Sequence, residues 1–262
     1  MPGNGVARKG MPPKPRMDWA WFFDIDGTLV EIASAPSRIV VHDELPELIA
    51  RLHDLTGGAV SLITGRSIAD VDRLLPLEGI SIAGQHGLDV RSATGEMLTK
   101  SGSYDDLGIV MEHLAAAVAS HPGLTVEFKG SSVALHYRAA PTLAGYSHRL
   151  MKKLRDQFVP DFVIQKGKRV CELRPSGSDK GQAMEKLMGT APFAGRRPVF
   201  IGDDATDEVA FKRVNDLGGY SVKVGPGATA ARWRIANVAG VRDWLREGVN
   251  AADALTAPVM SR

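Results

Sequence analysis

The stretch that most constrains this chain is Trp21-Phe22-Phe23-Asp24-Ile25-Asp26-Gly27-Thr28-Leu29. An apolar run from Trp19 to Phe23, short enough for a buried strand, ends in two aspartates one residue apart, then a glycine and a hydroxyl. Alternate side chains of an extended chain share a face, so Asp24 and Asp26 fall on the same side. Carboxylates that close repel unless one is protonated or a cation lies between them. Gly27 lets the backbone turn so that N–H groups point at an anion. The pattern is that of a strand feeding a site: a carboxylate nucleophile, a second carboxylate that passes a proton, and a hard metal and a phosphate between them. An Asp-rich turn closed by Asp-Gly is the plainer reading of the same residues.

Beyond this stretch, 36–41 reads as loop. Glu44 to Leu55 carries apolar residues at helical spacing, with Gly57-Gly58 as a stop. Ala59 to Ile63 is a second apolar strand ending in Thr64-Gly65-Arg66-Ser67, and a helix follows from Ile68 to Leu75. Such alternation predicts a parallel sheet with helices on its faces. Ser81 to Ala83 is a third strand, running into Gly84-Gln85-His86-Gly87, and Leu88 to Lys100 reads as a hairpin turned by Thr94-Gly95.

The pattern then changes. Tyr104 to Ser120 reads as a helix, Leu124 to Phe128 and Val133 to Arg138 as paired strands, Thr142 to Phe158 as a helix, and Phe162 to Gln165 with Arg169 to Leu173 as a hairpin. This αββαββ block has its own small sheet and reads as an insertion. The first pattern resumes with a helix from Ser178-Asp179-Lys180-Gly181 to about Met188. Strand Val199 to Ile201 ends in Gly202-Asp203-Asp204-Ala205-Thr206-Asp207-Glu208. A helix to Val214, a strand Tyr220 to Val224 and a closing helix Val241 to Leu245 follow.

The expected fold is therefore α/β: a Rossmann-like parallel-sheet core with an inserted α+β cap domain. The core is discontinuous, over 18–102 and 175–255, and the cap spans 103–174. Residues 1–17 are expected to be a disordered arm, because 1–16 are rich in Pro, Gly and Lys without an apolar segment, and 256–262 a flexible tail.

At 262 residues, with 44% hydrophobic and 24% charged residues, the composition is that of a globular protein with ample core. A net charge of +2 argues against nucleic acid as partner, and no apolar run approaches a membrane span. The single cysteine, Cys171, excludes an internal disulfide framework and reads as filler in a strand. A monomer in the cytoplasm is the expectation.

In an open parallel sheet, ligands bind at the carboxyl ends of the strands. Here those ends carry Asp24 and Asp26, Thr64, and Asp203, Asp204 and Asp207, with Lys180 opening a helix at the same edge. A phosphate ester resists attack until its anionic oxygens are neutralised. Mg²⁺, which takes oxygen ligands and keeps several waters, suits such a cluster. Asp24 is expected to attack and Asp203 to hold the metal. Asp26 would protonate the leaving alkoxide and later deprotonate water, while Thr64 and Lys180 would bind the phosphoryl oxygens. Asp207 has three readings: metal ligand, partner of Lys180, or helix cap.

In this order, Asp24-Ile25-Asp26-Gly27-Thr28, Thr64, Lys180 and Gly202-Asp203-Asp204-Ala205-Thr206-Asp207 resemble the four motifs of the haloacid-dehalogenase superfamily of phosphatases. Leu62 to Arg66, Gly84 to Gly87, His136-Tyr137-Arg138, Glu172 to Pro175 and Gly202 to Glu208 more narrowly resemble trehalose-6-phosphate phosphatases, over about Trp19 to Trp244. The resemblance implies Mg²⁺-dependent hydrolysis of trehalose 6-phosphate through an aspartyl phosphate. Asp24, Asp26, Asp203 and Asp207 would be the metal residues. Lys129, Lys168 and Glu172 would grip the sugar from a lid that closes, with Arg66 and His86 on the core side. Gln85 replaces the Glu often found before that His-Gly.

Each of these residues also has a duller reading: Arg66 as a helix cap, Lys129 and Lys168 as solvated charge at hairpin turns, Glu172 as a strand residue facing solvent. Arg138 and Arg174 read as structural partners of acids. Three rivals stand beside the main reading: the same chemistry on another sugar phosphate such as sucrose phosphate or a mannosyl phosphate, a sugar phosphomutase, and a non-catalytic sensor. The last predicts loss of Asp24, Asp26 or Lys180, and all three are present.

Overall fold

Five consecutive apolar residues are tolerated in a strand only when both of its faces are covered. In the computed structural model, which describes residues 10–33, 39–99 and 106–256, the first strand has that position. In chain order the elements begin with β1 (Trp19–Phe23), α1 (Glu44–Leu55), β2 (Val60–Ile63), α2 (Ile68–Leu74), β3 (Ser81–Gly84), β4 (Asp89–Arg91) and β5 (Met97–Thr99). Next come α3 (Asp106–Ser120), β6 (Thr125–Phe128), β7 (Val133–His136), α4 (Ala144–Phe158), β8 (Phe162–Gly167) and β9 (Val170–Pro175). The chain continues through α5 (Lys180–Met188), β10 (Arg197–Gly202), α6 (Glu208–Asp216), β11 (Tyr220–Val224), β12 (Trp233–Ile235) and α7 (Val238–Thr256).

The chain divides into two compact units, Met1–Thr99 with Asp179–Arg262, and Lys100–Ser178. The first holds an eight-stranded sheet in the order β12-β11-β10-β1-β2-β3-β4-β5. Its first six strands are parallel, and the β4–β5 hairpin adds antiparallel to β3. Alternation along β1 sends Trp19, Trp21 and Phe23 into one apolar cluster with Leu45, Ile49 and Leu52 of α1 and Val241, Trp244 and Leu245 of α7. Ala20 and Phe22 enter the other, with Met184 and Leu187 of α5 and Phe211 and Val214 of α6. Each fully buried large side chain contributes about 1.5–3 kcal/mol relative to exposure. Along β1, Trp19 packs tilted on Trp21 at 5.4 Å and Trp21 stacks on Phe23 at 5.9 Å between ring centroids.

The second unit runs α3-β6-β7-α4-β8-β9, the αββαββ order. Its antiparallel sheet, β6-β7-β9-β8, buries Val133, Leu135, Cys171 and Leu173 against Leu107, Val110 and Leu114 of α3 and Met151 and Leu154 of α4. Among the described residues no helix is long and apolar enough to cross a membrane.

Three features differ from the sequence expectation. The closing helix extends from Val238 to Thr256, because buried Val249 continues the apolar stripe of Val241 and Leu245 by one more turn. Strand β12 was not anticipated; its three residues carry little periodicity, yet they pair in parallel with β11. Residues 10–16, expected to be part of a disordered arm, lie against the first unit. Arg234 N–H donates to Gly10 O at 3.0 Å and the Trp244 indole N–H to Pro13 O at 3.0 Å, while Lys14 pairs with Glu247 at 2.9 Å. Prolines lose little entropy on being fixed, and a buried indole needs an acceptor. Residues 1–9, the tail beyond 256, the 102/103 boundary, Tyr104 and part of the 36–41 loop fall outside the described residues.

Candidate active site

Parallel pairing of β10, β1 and β2 brings their carboxyl ends side by side, and with them Asp203, Asp24 and Thr64. Asp24 N–H continues the ladder by donating to Ile201 O at 2.9 Å, which fixes the nucleophile candidate to the neighbouring strand. Two glycines make the close approach possible. Gly27 has φ +81°, and a Cβ there would lie 2.4 Å from Asp203 Cγ; a Cβ on Gly202 would lie 2.3 Å from Asp207 Cγ.

Lys180, the first residue of α5, is buried and joins two strand ends. Its Nζ is 2.8 Å from Asp24 Oδ1 and 2.7 Å from Asp207 Oδ1, with all three side chains no more than 6% exposed. Asp179, the N-cap of α5, accepts from Gln182 N–H at 2.8 Å and so sets the direction in which Lys180 leaves the helix. Asp207 does not cap α6. Its second oxygen accepts from Asp204 N–H at 2.9 Å, while Asp204 Oδ1 accepts from Thr206 N–H and hydroxyl at 2.7 and 2.6 Å. Partner of Lys180 is thus the observed role of Asp207, and metal ligand remains compatible with it.

The electrostatics follow from burial. Removal from water pushes the Asp24 carboxyl well above the ordinary carboxylate range, with Lys180 pulling against it and Asp207 and Asp204 adding to it. Asp207 is raised for the same reason. Burial opposes the charge on Lys180, but Asp207, Asp24 and Asp204 outweigh it and hold the ammonium firmly charged. One ammonium among these carboxylates leaves the cluster short of positive charge. One carboxylate oxygen each from Asp24, Asp203 and Asp207 lies within 4.8 Å of the others, so this trio could hold a metal ion that prefers oxygen ligands.

Asp26 stands outside that trio. Arg66 grips its carboxylate through both oxygens, Nε to Oδ2 at 2.7 Å and Nη2 to Oδ1 at 2.6 Å. Arg66 therefore sits on the proposed proton carrier, a bidentate geometry that orients a carboxylate as well as pairing it. Thr64 is buried and its Oγ1 accepts from Arg66 N–H at 3.2 Å. His86 takes a left-handed backbone, φ 59°, and donates its N–H to Thr64 O at 2.8 Å. Its ring lies over Gly65, where a Cβ would come within 2.8 Å of His86 Cε1. Gln85 donates from Nε2 to Asp89 Oδ2 at 2.6 Å; a carboxylate in its place would face a second carboxylate.

In the inserted unit, Glu172 is buried. Its Oε1 accepts from Ser132 Oγ at 2.7 Å and its Oε2 meets Lys129 Nζ at 3.2 Å. Register sets Glu127, Ala134, Glu172 and Gln165 side by side across the four strands, on the face away from the apolar core. His136 Nε2 lies 2.9 Å from Glu127 Oε2 on the same face. Lys168 is exposed in the β8–β9 turn. Sequence reading missed Glu127 and Ser132; the signal for Glu127 was the alternation of β6, which puts it opposite Val126 and Phe128. The lone thiol, Cys171, points the other way, 3.2 Å from His148 Nδ1, and burial pushes its pKa up to about 11, consistent with an inert packing role.

Comparison with known proteins places these residues in a family context. The family model described as trehalose-phosphatase matches residues 22–238. The trehalose-6-phosphate phosphatase of Escherichia coli (strain K12) is 41% identical over 236 residues, covering 89% of this chain and 87% of that protein. A probable trehalose-phosphate phosphatase of Sinorhizobium fredii is 41% identical over 214 residues, covering 82% and 80%. A crystal structure of a trehalose-6-phosphate phosphatase related protein superposes with a TM-score of 0.78 at 28% identity, covering 90% of this chain and 99% of that one.

Proposed function

The chain belongs to the trehalose-phosphatase family, a family of phosphoric monoester hydrolases, and we propose that it hydrolyses trehalose 6-phosphate to trehalose and phosphate as a step of trehalose biosynthesis. The observation that carries the reading is the buried Asp24–Lys180–Asp207 arrangement with Asp203 beside it at the carboxyl edge of the sheet.

Asp24 attacks phosphorus and the bond from phosphorus to the sugar oxygen breaks, leaving an aspartyl phosphate on the chain. Asp26 gives its proton to the departing alkoxide, then takes one from the water that releases phosphate and restores Asp24. Thr64 and Lys180 hold the non-bridging oxygens, Lys180 balancing charge that otherwise repels the substrate. Asp24, Asp203 and Asp207 would hold Mg²⁺, and the bound ion would supply positive charge facing the phosphoryl group and the carboxylates. Lys129, Lys168 and Glu172 bind the disaccharide on the inserted unit, with Arg66 and His86 contributing from the first. The split assigns bond breaking to one unit and substrate choice to the other.

The test is phosphate release from trehalose 6-phosphate, with and without Mg²⁺, beside sucrose phosphate, mannosyl phosphates and glucose 6-phosphate. Metal-dependent preference for trehalose 6-phosphate supports the reading. Far better hydrolysis of another sugar phosphate would leave the chemistry standing and reassign Lys129, Lys168 and Glu172, whereas phosphoryl transfer to a sugar rather than to water would make the protein a phosphomutase or phosphotransferase.

A further inference from the structure

Lys223 is a lysine only 5% exposed, between buried Val222 and Val224, in register with Gly202 at the carboxyl end of β11. Its ammonium donates to the backbone carbonyl of Asp203 and, at 2.8 Å, to that of Val224. Burying a lysine is costly unless its donors are used, so such a residue needs a reason. Those carbonyls belong to the first residue of the 203–207 loop and to the end of the adjacent strand. The bonds therefore tie the start of the loop to β11. Further along, the loop is held by Asp207 and Asp204 through the bonds from Asp204 N–H and Thr206. Lys223 thus secures the one end of the loop from which the Asp203 carboxylate projects, beside Gly27.

We propose that Lys223 is a positioning residue for Asp203: it fixes the Asp203 peptide and so aims the carboxylate at the trio with Asp24 and Asp207. The inference rests on the reading of Asp203 as a metal ligand. Coulomb's law makes it sharp. Removing a positive charge near a cation site by itself strengthens cation binding. Weaker binding after the loss of Lys223 arises only if the lost positioning outweighs the lost repulsion.

The experiment is a calorimetric titration of the phosphate-free protein with Mg²⁺ and with Mn²⁺, in wild type, Lys223→Met and Lys223→Gln. Residues that orient metal ligands through hydrogen bonds typically change metal affinity about 10–100-fold when replaced. Lys223→Met is expected to weaken binding by about ten-fold or more, and Lys223→Gln, which keeps an N–H donor without the charge, by less. Turnover of trehalose 6-phosphate by the variants should recover as Mg²⁺ is raised, with KM for the sugar phosphate unchanged. Unchanged or tighter metal binding in both variants overturns the proposal, as does a wild type that binds neither cation. If Lys223→Met does not fold, the Gln variant decides alone. A wild type that binds metal but leaves trehalose 6-phosphate intact refutes the phosphatase reading, and the titration still decides Lys223.

Discussion

The two polar sites are built on opposite plans. In the first unit, Asp24, Asp207 and Lys180 are buried and cross-bonded, each side chain fixed by at least one other. In the inserted unit, Glu172 and its donor Ser132 are buried, but Glu127 and His136 beside them keep about a third of their side-chain surface, and Lys168 is exposed. A buried cluster of like charges stores electrostatic free energy that a phosphoryl group and a cation can release, and it needs rigid geometry to do so. A half-exposed face of mixed charge adapts to hydroxyl groups and gains modestly from each. On the proposed function, rigidity belongs with bond breaking, and adaptability with recognition.

The most severe way to break the first plan is Asp24→Asn. Phosphate release is expected to fall by on the order of 10⁴-fold or more, while the metal-free melting temperature rises because a buried negative charge is gone. Lys180→Met comes next. Asp24 and Asp207 then lose their counter-ion, which costs about 3–5 kcal/mol of stability, measurable by denaturant unfolding. Adding Asp24→Asn to it should return part of that loss, a non-additivity that a cluster acting as a unit requires.

The second plan should fail more gently. Ser132→Ala leaves Glu172 without its 2.7 Å donor, and a buried acceptor left unsatisfied costs about 1–3 kcal/mol. The expected reading is a rise in KM for trehalose 6-phosphate of about ten-fold, with hydrolysis of a small phosphate ester lacking the sugar unchanged. An equal loss on both substrates would show that the two plans are not separable.

The smallest effect is in pH, and its sign differs between the units. Burial raises Asp24 and Asp207 in the first unit. Their share of stability is therefore full below the ordinary carboxylate value and is lost as pH rises through the raised one. In the second unit burial, and then Lys166, lowers His148. Its share is present above the ordinary histidine value and is lost as pH falls from there through the lowered one. Acidifying the chelated protein from pH 7 to about 5 should protect the amides of β1 and β10 from hydrogen exchange and expose those of α4 and β9. Mg²⁺ at pH 7 should reproduce only the first change.

Which of these features could be read from the sequence follows from the range of the forces involved. The strand-end residues Asp24, Thr64 and Asp203 were legible because each closes an apolar run, a local signal. The αββαββ order was legible because helical and strand periodicities differ. Strand order was not: nothing local in Trp19–Phe23 says that β10 will flank it. Arg66 on Asp26 joins residues 40 positions apart, and the sequence shows both members without the bond. Lys223 was not singled out because nothing local in Tyr-Ser-Val-Lys-Val says whether its Ser-Lys face is covered; only the sheet shows that it is. Residues 10–16 look like linker until the acceptor needed by Trp244 is known.

The sheet order also dictates a sequence of events in time. β1 forms its parallel ladder with β10, Trp19 opposite Arg197 and Phe23 opposite Ile201, so the central pair of the first unit must wait for a loop that spans most of the chain to close. Every strand of the inserted sheet lies between Thr125 and Pro175 and pairs only within that span. Ordering entropy rises with loop length, and non-local pairing slows folding. As the chain emerges during synthesis, the inserted unit can therefore assemble first, while the strand that ends at Asp24 waits, its aromatic residues still unburied, for its partner to be made.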